Sequence, residues 1–170
     1  LDRDRIDYSR ANTIPFMGIN VPLIRRSISG QNRWALSEQG LVLNIRNPED
    51  GELTLALLAD FYQQQGRIWL RKKTQTIASA AGLDHKLTDI RFRKTKTKWG
   101  HCTAQGRIQY NWLIMMAPES VIDYLVSHEV SHLAHLNHST AFWQQVEQLH
   151  STYLVDRRWL NQHGHRLTLE

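Results

Sequence analysis

Residues 128–132 read His128-Glu129-Val130-Ser131-His132. Two histidines four positions apart stand one above the other on a helix, with Cβ atoms about 6 Å apart. Both imidazoles can therefore close on one metal ion through bonds of about 2.0–2.1 Å. Glu129 falls about 100° around the helix from His128, an angle suited to a carboxylate that works on a water beside the ion rather than on the ion itself. Counted from His128, Val121, Leu125 and Leu136 fall within about 20–80°, and Ile122, Val126 and Leu133 within about 120–160°. The two histidines and Glu129 thus lie along or within the apolar arc, where unpartnered polar groups are costly. Asp123, Ser127 and Ser131 fall opposite, and the pattern assigns them to solvent.

An ion held for catalysis needs a third protein ligand, and His138 is the favoured candidate. On a continued helix it would point roughly 80–120° away and about 9 Å farther along, so the chain must turn near Leu136-Asn137. Asn tolerates the left-handed conformation that ends helices, and Ser139 or Thr140 can cap a following helix carrying Ala141, Phe142, Val146 and Leu149. His135 is the rival, on the right side but a full turn too far along. Three neutral imidazoles leave the charge of a divalent ion uncompensated and one coordination position open, which makes a Lewis acid. Glu129 would take the proton of the attacking water and pass it to a leaving amine. One zinc ion is the first choice; iron, nickel or manganese also suit imidazole.

Other elements must position this helix. Pro118-Glu119-Ser120 is a helix start. Upstream, residues 13–47 read as short strands broken at Gly18, Gly30 and Gly40. From about Glu52, Leu55, Leu58, Tyr62 and Trp69 recur at helical spacing, to about Ala80 before Gly82, with Gly66 a potential break. Strand alternation returns at Thr88-Ile90-Phe92 and at Ile108-Tyr110-Trp112, and the two segments are expected to pair within one antiparallel sheet through Gly100–Gly106. The tail around Trp159 and Leu160 reads as a last helix.

With 170 residues, 41% of them hydrophobic and 22% charged, the chain can bury a core and is not biased toward disorder. No apolar run approaches the roughly eighteen residues of a membrane span, and the charged stretch 1–10 shows no secretory signal. One cysteine, Cys102, excludes an internal disulfide framework and suits a reducing cytoplasm. The net charge of +5 permits nucleic-acid contact without requiring it. Arg91, Arg93, Lys94, Lys96 and Lys98 form a basic strip, either a solvated strand face or a nucleic-acid contact. Trp99, Trp112, Trp143 and Trp159 read as core anchors.

Several of these segments together resemble the YgjP-like metallopeptidase family, small cytoplasmic zincins related to SprT-like and WLM proteins. They are KWGHC at 98–102, GRIQYNWLIMMAP at 106–118, VIDYLVSHEVSH at 121–132 and NHSTAFW at 137–143, and the similarity begins near Ile14-Pro15-Phe16-Met17-Gly18. The resemblance implies His128, His132 and His138 as zinc ligands, Glu129 as catalytic base and a peptide or protein as substrate. It also implies an α+β zincin-like fold, with an extended peptide held by a strand beside the active-site helix. In that layout a β-rich segment at 1–50 packs on a metallopeptidase core at 51–170, in one compact whole of long helix, antiparallel sheet, His-Glu-x-x-His helix and C-terminal helices. Lys98 and His101 depart from the Arg and Ser of the family pattern. Cys102 fits it, yet no base stands ready to make the thiol a nucleophile.

Two other functions use the same residues. The His-x3-His-x5-His spacing also suits a metal-dependent endoribonuclease, although the glutamate directly after the first histidine points to the peptidase. A DNA-associated protease would employ the basic strip as well. A binding module with a structural metal is disfavoured, since structural zinc usually has four protein ligands.

Overall fold

The computed structural model describes residues 5–170, so the first four residues of the charged stretch 1–10 lie outside it. Two small mixed sheets and four helices build an α+β architecture. The first sheet comprises β1 (Thr13–Phe16), β2 (Ile19–Ser27), β3 (Arg33–Ser37) and β4 (Gly40–Ile45), in the order β1-β2-β4-β3. β1 and β2 form a hairpin whose two-residue turn, Met17-Gly18, has positive φ at both positions (51° and 86°). This turn geometry matches the twist of the flanking strands. Its tip rests on the later chain: Met17 N donates to Met115 O at 3.0 Å, and Gly18 abuts Pro118. Gly40 lets β4 run parallel against β2, since a Cβ there would stand 2.4 Å from Pro22 O.

Helix α1 (Gly51–Ala80) is capped by Asp50, whose side chain accepts from Leu53 N at 3.1 Å. It closes at Gly82 (φ 69°), with Leu83 N bonded to Ala78 O and Gly82 N to Ser79 O. Leu58, Phe61, Tyr62, Leu70 and Ala78 are fully buried along its length. Phe61 meets the rings of Phe16, Trp34 and Tyr62, and Tyr62 Oη donates to Pro15 O at 2.5 Å. The helix does not break at Gly66. The missing side chain instead admits the 3-10 segment Trp112–Met116, since a Cβ would meet Trp112 Cβ at 3.2 Å.

The second sheet corrects the expected pairing. β5 (Asp89–Arg93), β6 (Gly100–Cys102) and β7 (Arg107–Asn111) lie in the order β5-β7-β6, with β5 parallel to β7 and only β6 antiparallel to it. Alternation of side chains sets which faces are buried but carries no direction. Residues 94–106 are long enough to carry the chain across to a parallel partner, and a three-residue strand leaves no periodic signal. The hairpin from β6 to β7 closes at Gly106 (φ 84°), where a Cβ would stand 1.9 Å from Lys86 O.

Helices α2 (Glu119–Ser131), α3 (Thr140–Leu149) and α4 (Tyr153–His163) complete the chain. α2 packs on α1, on β6 and on both later helices. Its serine face is not solvated as the pattern suggested. Ser127 and Ser131 are fully buried, and Asp123 is held by Lys73 of α1 at 2.7 Å. Both flanks of α2 are covered because α1 is long enough to lie along the face its polar residues occupy. Ser131 Oγ donates back to Ser127 O at 2.7 Å, which lets a serine be buried inside a helix.

Candidate metal centre

α2 ends at the second histidine of the motif. His132 is its C-terminal cap, and consecutive tight turns follow, with Leu133 N bonded to Val130 O and Ala134 N to Ser131 O. The chain begins to turn at once after the helix and bends again at the expected Leu136-Asn137, but without a left-handed Asn137: Met17 is the sole non-glycine with positive φ among the described residues. Ser139, rather than Thr140, caps α3 by accepting from Phe142 N at 3.2 Å. These successive turns and bends lift His138 back beside α2.

His128, His132 and His138 converge. One ring nitrogen from each lies within 4.8 Å of the others, and the ring centroids are 5.0, 5.3 and 4.8 Å apart. A tetrahedral ion with bonds of about 2.0–2.1 Å sets its ligand nitrogens about 3.4 Å apart, so modest side-chain rotation closes the cluster. Its protonation state suits the same purpose. Burial pushes the His128 imidazole down to about 3, helped by the charges of His132, His138 and Arg157. Burial also lowers His132, against the opposing hydrogen bond to His135. Neutral rings keep the lone pairs that a metal requires.

Surrounding groups fix how these rings are presented. His132 Nδ1 lies 2.9 Å from the carbonyl of His135, which accepts from it and leaves Nε2 for a ligand role. His135, the rival third ligand, thus serves through its backbone, and its ring is outside the cluster. The Tyr124 hydroxyl stands 3.5 Å from His128 Nδ1. Beneath all three imidazoles lies Phe142, fully buried, stacked on His132 at 4.4 Å and edge-on to His128 and His138 at 5.0 Å each. Trp143 stacks on His138 and on Tyr153 and carries the Arg157 guanidinium 4.6 Å over its ring, so it is a wall of the site more than a core anchor.

Glu129 is only 3% exposed. It shares a cavity of about 200 Å³ with His128, Tyr124, Lys98 and Gly100. Its carboxyl group is pushed up to about 8 by burial, with the Lys98 ammonium pulling the other way. Gly100 makes room for it: a Cβ there would stand 2.5 Å from Glu129 Oε2. Cys102 faces the same helix. Burial, and then the charge of Glu129, push its thiol up to about 12, so it is no nucleophile. Tyr110 is fully buried and bonded to Thr74 Oγ1 at 2.8 Å, away from the histidines.

The basic strip divides in two. Arg91 and Arg93 line one cavity with Arg67 and Arg71, while Lys94, Lys96 and Lys98 line another. The spacing of the histidines was readable from sequence. The roles of Phe142, Gly100 and the His135 carbonyl were not, although Phe142 sits four residues after His138, where the pattern NHSTAFW could have drawn attention to it.

Metal-dependent peptidases are the class into which the chain falls. Over residues 2–163 it matches the family model described as YgjP-like, metallopeptidase domain, and it belongs to that family. Among solved structures it is similar to the metallopeptidase zymogen of Pyrococcus abyssi abylysin, with 20% identity and a TM-score of 0.47 over 54% of this chain and 93% of that one. Comparison with curated proteins gives no match.

Proposed function

We propose that the protein is a zinc-dependent peptidase of zincin type, in which His128, His132 and His138 hold one ion and Glu129 is the general base. The observation that carries this reading is the convergence of one ring nitrogen from each of three histidines, the first of which, His128, shares a cavity with the Glu129 carboxyl group. When bound, the ion supplies Lewis acidity toward a carbonyl and toward water, worth several kcal/mol in the transition state. Glu129 accepts the proton of the attacking water and returns it to the departing amine. Its raised proton affinity brings it close to the ordinary working pH, where a group that must both take and give a proton is most effective. Phe142 and Trp143 exclude water from beneath the histidines and hold their planes. β6 lies at the outer side of its sheet and beside α2, so its free edge can pair with an extended peptide backbone. The single buried thiol accords with a reducing, cytoplasmic setting.

The test is Glu129→Gln. The variant keeps one bound zinc per chain and loses peptide hydrolysis by about 10²–10⁴-fold. Turnover near the wild-type rate would remove Glu129 from the mechanism.

A further inference from the structure

A cavity of about 770 Å³ adjoins the histidine site and is built around a lysine loop. Among the described residues its walls include Lys94, Lys96, Lys98 and Arg5, with Glu170 the one acidic side chain. Lys98 and Trp99 line this cavity and also the smaller one that contains His128 and Glu129, so the two spaces share a wall. The loop that presents the lysines is pinned. Thr95 Oγ1 donates to Lys98 O, Asn111 Nδ2 donates to Thr95 O at 3.1 Å, and Asn111 N donates to Trp99 O at 2.8 Å. The ammonium groups are therefore carried on a backbone that needs little ordering when a ligand arrives.

From this geometry we infer that the groove selects acidic peptides, holding Asp or Glu side chains at Lys94 and Lys96 while the scissile bond lies over the histidines. The inference rests on the peptidase reading above and names its substrate class. The groove already receives a carboxylate: Glu170 Oε1 sits 2.7 Å from Lys94 Nζ. The Lys94 hydrogen bond, with Lys96 contributing its charge, lowers the proton affinity of that carboxyl group. Concave walls of one charge sign focus potential and raise the local concentration of oppositely charged ligand. A nucleic acid would find the charge but little stacking surface. Of the two aromatic rings in the lining, His165 is an imidazole, and Trp99 is partly buried with its Nε1 3.1 Å from the Cβ position of Gly164.

The test uses the zinc-loaded full chain carrying Glu129→Gln to measure binding, and the wild type to measure cleavage. Three fluorescent peptides share one core and differ in flanks rich in Glu, Gln or Lys; a single-stranded oligonucleotide of matched charge is the fourth probe. The Glu-rich peptide binds about tenfold more tightly than the Gln-rich one, and the margin shrinks as salt rises. Lys94→Glu/Lys96→Glu inverts the order of the Glu-rich and Lys-rich peptides, and Lys96→Gln alone narrows it. Arg33→Glu/Arg46→Glu, at two exposed positions outside the groove, makes the same change of net charge without altering the order. Equal affinity for Glu-rich and Gln-rich peptides overturns the inference, as does tighter oligonucleotide binding that the double substitution abolishes. If the Gln-rich peptide is cleaved by the wild type and spared by Glu129→Gln while affinities are equal, only this inference falls. If no peptide is cleaved, the peptidase reading falls, and the binding order still decides what the groove selects.

Discussion

Both flanks of α2 carry buried polar residues, yet they use them in opposite ways. On one flank His128, Glu129 and His132 are held without mutual neutralisation: burial lowers the proton affinity of the two imidazoles and raises that of the glutamate. On the other flank every strong charge has a partner. Lys73 reaches Glu119 at 2.8 Å and Asp123 at 2.7 Å, and Ser131 folds back on its own helix. Burial alone would lower the Lys73 proton affinity, but the hydrogen bonds to Asp123 and Glu119 reverse that and raise it. The contrast separates a site from a joint. Polar groups that bind the protein together find protein partners, whereas those reserved for a ligand are buried, shaped and left with capacity to spare.

The largest expected effect on this comparison comes from Gly100→Ala. The added methyl collides with the end of a side chain and not with backbone, so the fold and zinc content should persist while Glu129 is displaced. Peptide hydrolysis should fall by about 10²-fold or more, read as kcat with unchanged zinc stoichiometry. Next, His138→Ala should weaken zinc binding by at least about tenfold in a chelator competition, whereas His135→Ala, which keeps its carbonyl, should not. The opposite result would exchange the two residues' roles.

A third effect is on stability without metal. Glu129 titrates near 8 in the folded protein against an ordinary 4.5, so the folded state binds its proton more tightly than the unfolded one. Its contribution is complete below about 4.5 and is lost as pH rises to about 8, on the order of a few kcal/mol. Urea midpoints of the metal-free wild type should fall across that window, and Glu129→Gln should remove the fall. His128, held near 3 against 6.5, acts with opposite sign: stability declines as pH drops below about 6.5, and Glu129→Gln leaves that decline in place.

The smallest effects belong to the other flank. Lys73→Ala should cost about 1 kcal/mol, the usual scale for a partly exposed ion pair, with kcat unchanged. Ser127 Oγ is buried with no hydrogen-bond partner, so Ser127→Ala should be neutral or slightly stabilising in a thermal melt.

What could be read from sequence followed the strength of its periodic signals. The thirty residues of α1 announce themselves by apolar spacing and by Gly82. The histidine pair does so by the single-turn interval. His138 was reachable because only a chain reversal could bring it back, but the mechanism of that reversal was not: successive tight turns need no special residue, so Asn137 was a misleading cue. The parallel pairing of β5 with β7 was hidden because β6 is three residues long. The serine flank was misassigned because a helical wheel records which residues share a side and says nothing about whether α1 covers it. Gly100 could not be recognised as the seat of Glu129, since the two meet only in space.

The central claim is a single cation among His128, His132 and His138, and anomalous diffraction at the zinc edge from a zinc-loaded crystal addresses it directly. The account predicts one strong anomalous peak about 2.0–2.1 Å from a nitrogen of each of the three imidazoles, with Glu129 outside bonding distance. A peak bound by other residues, or none at full zinc loading, would contradict it.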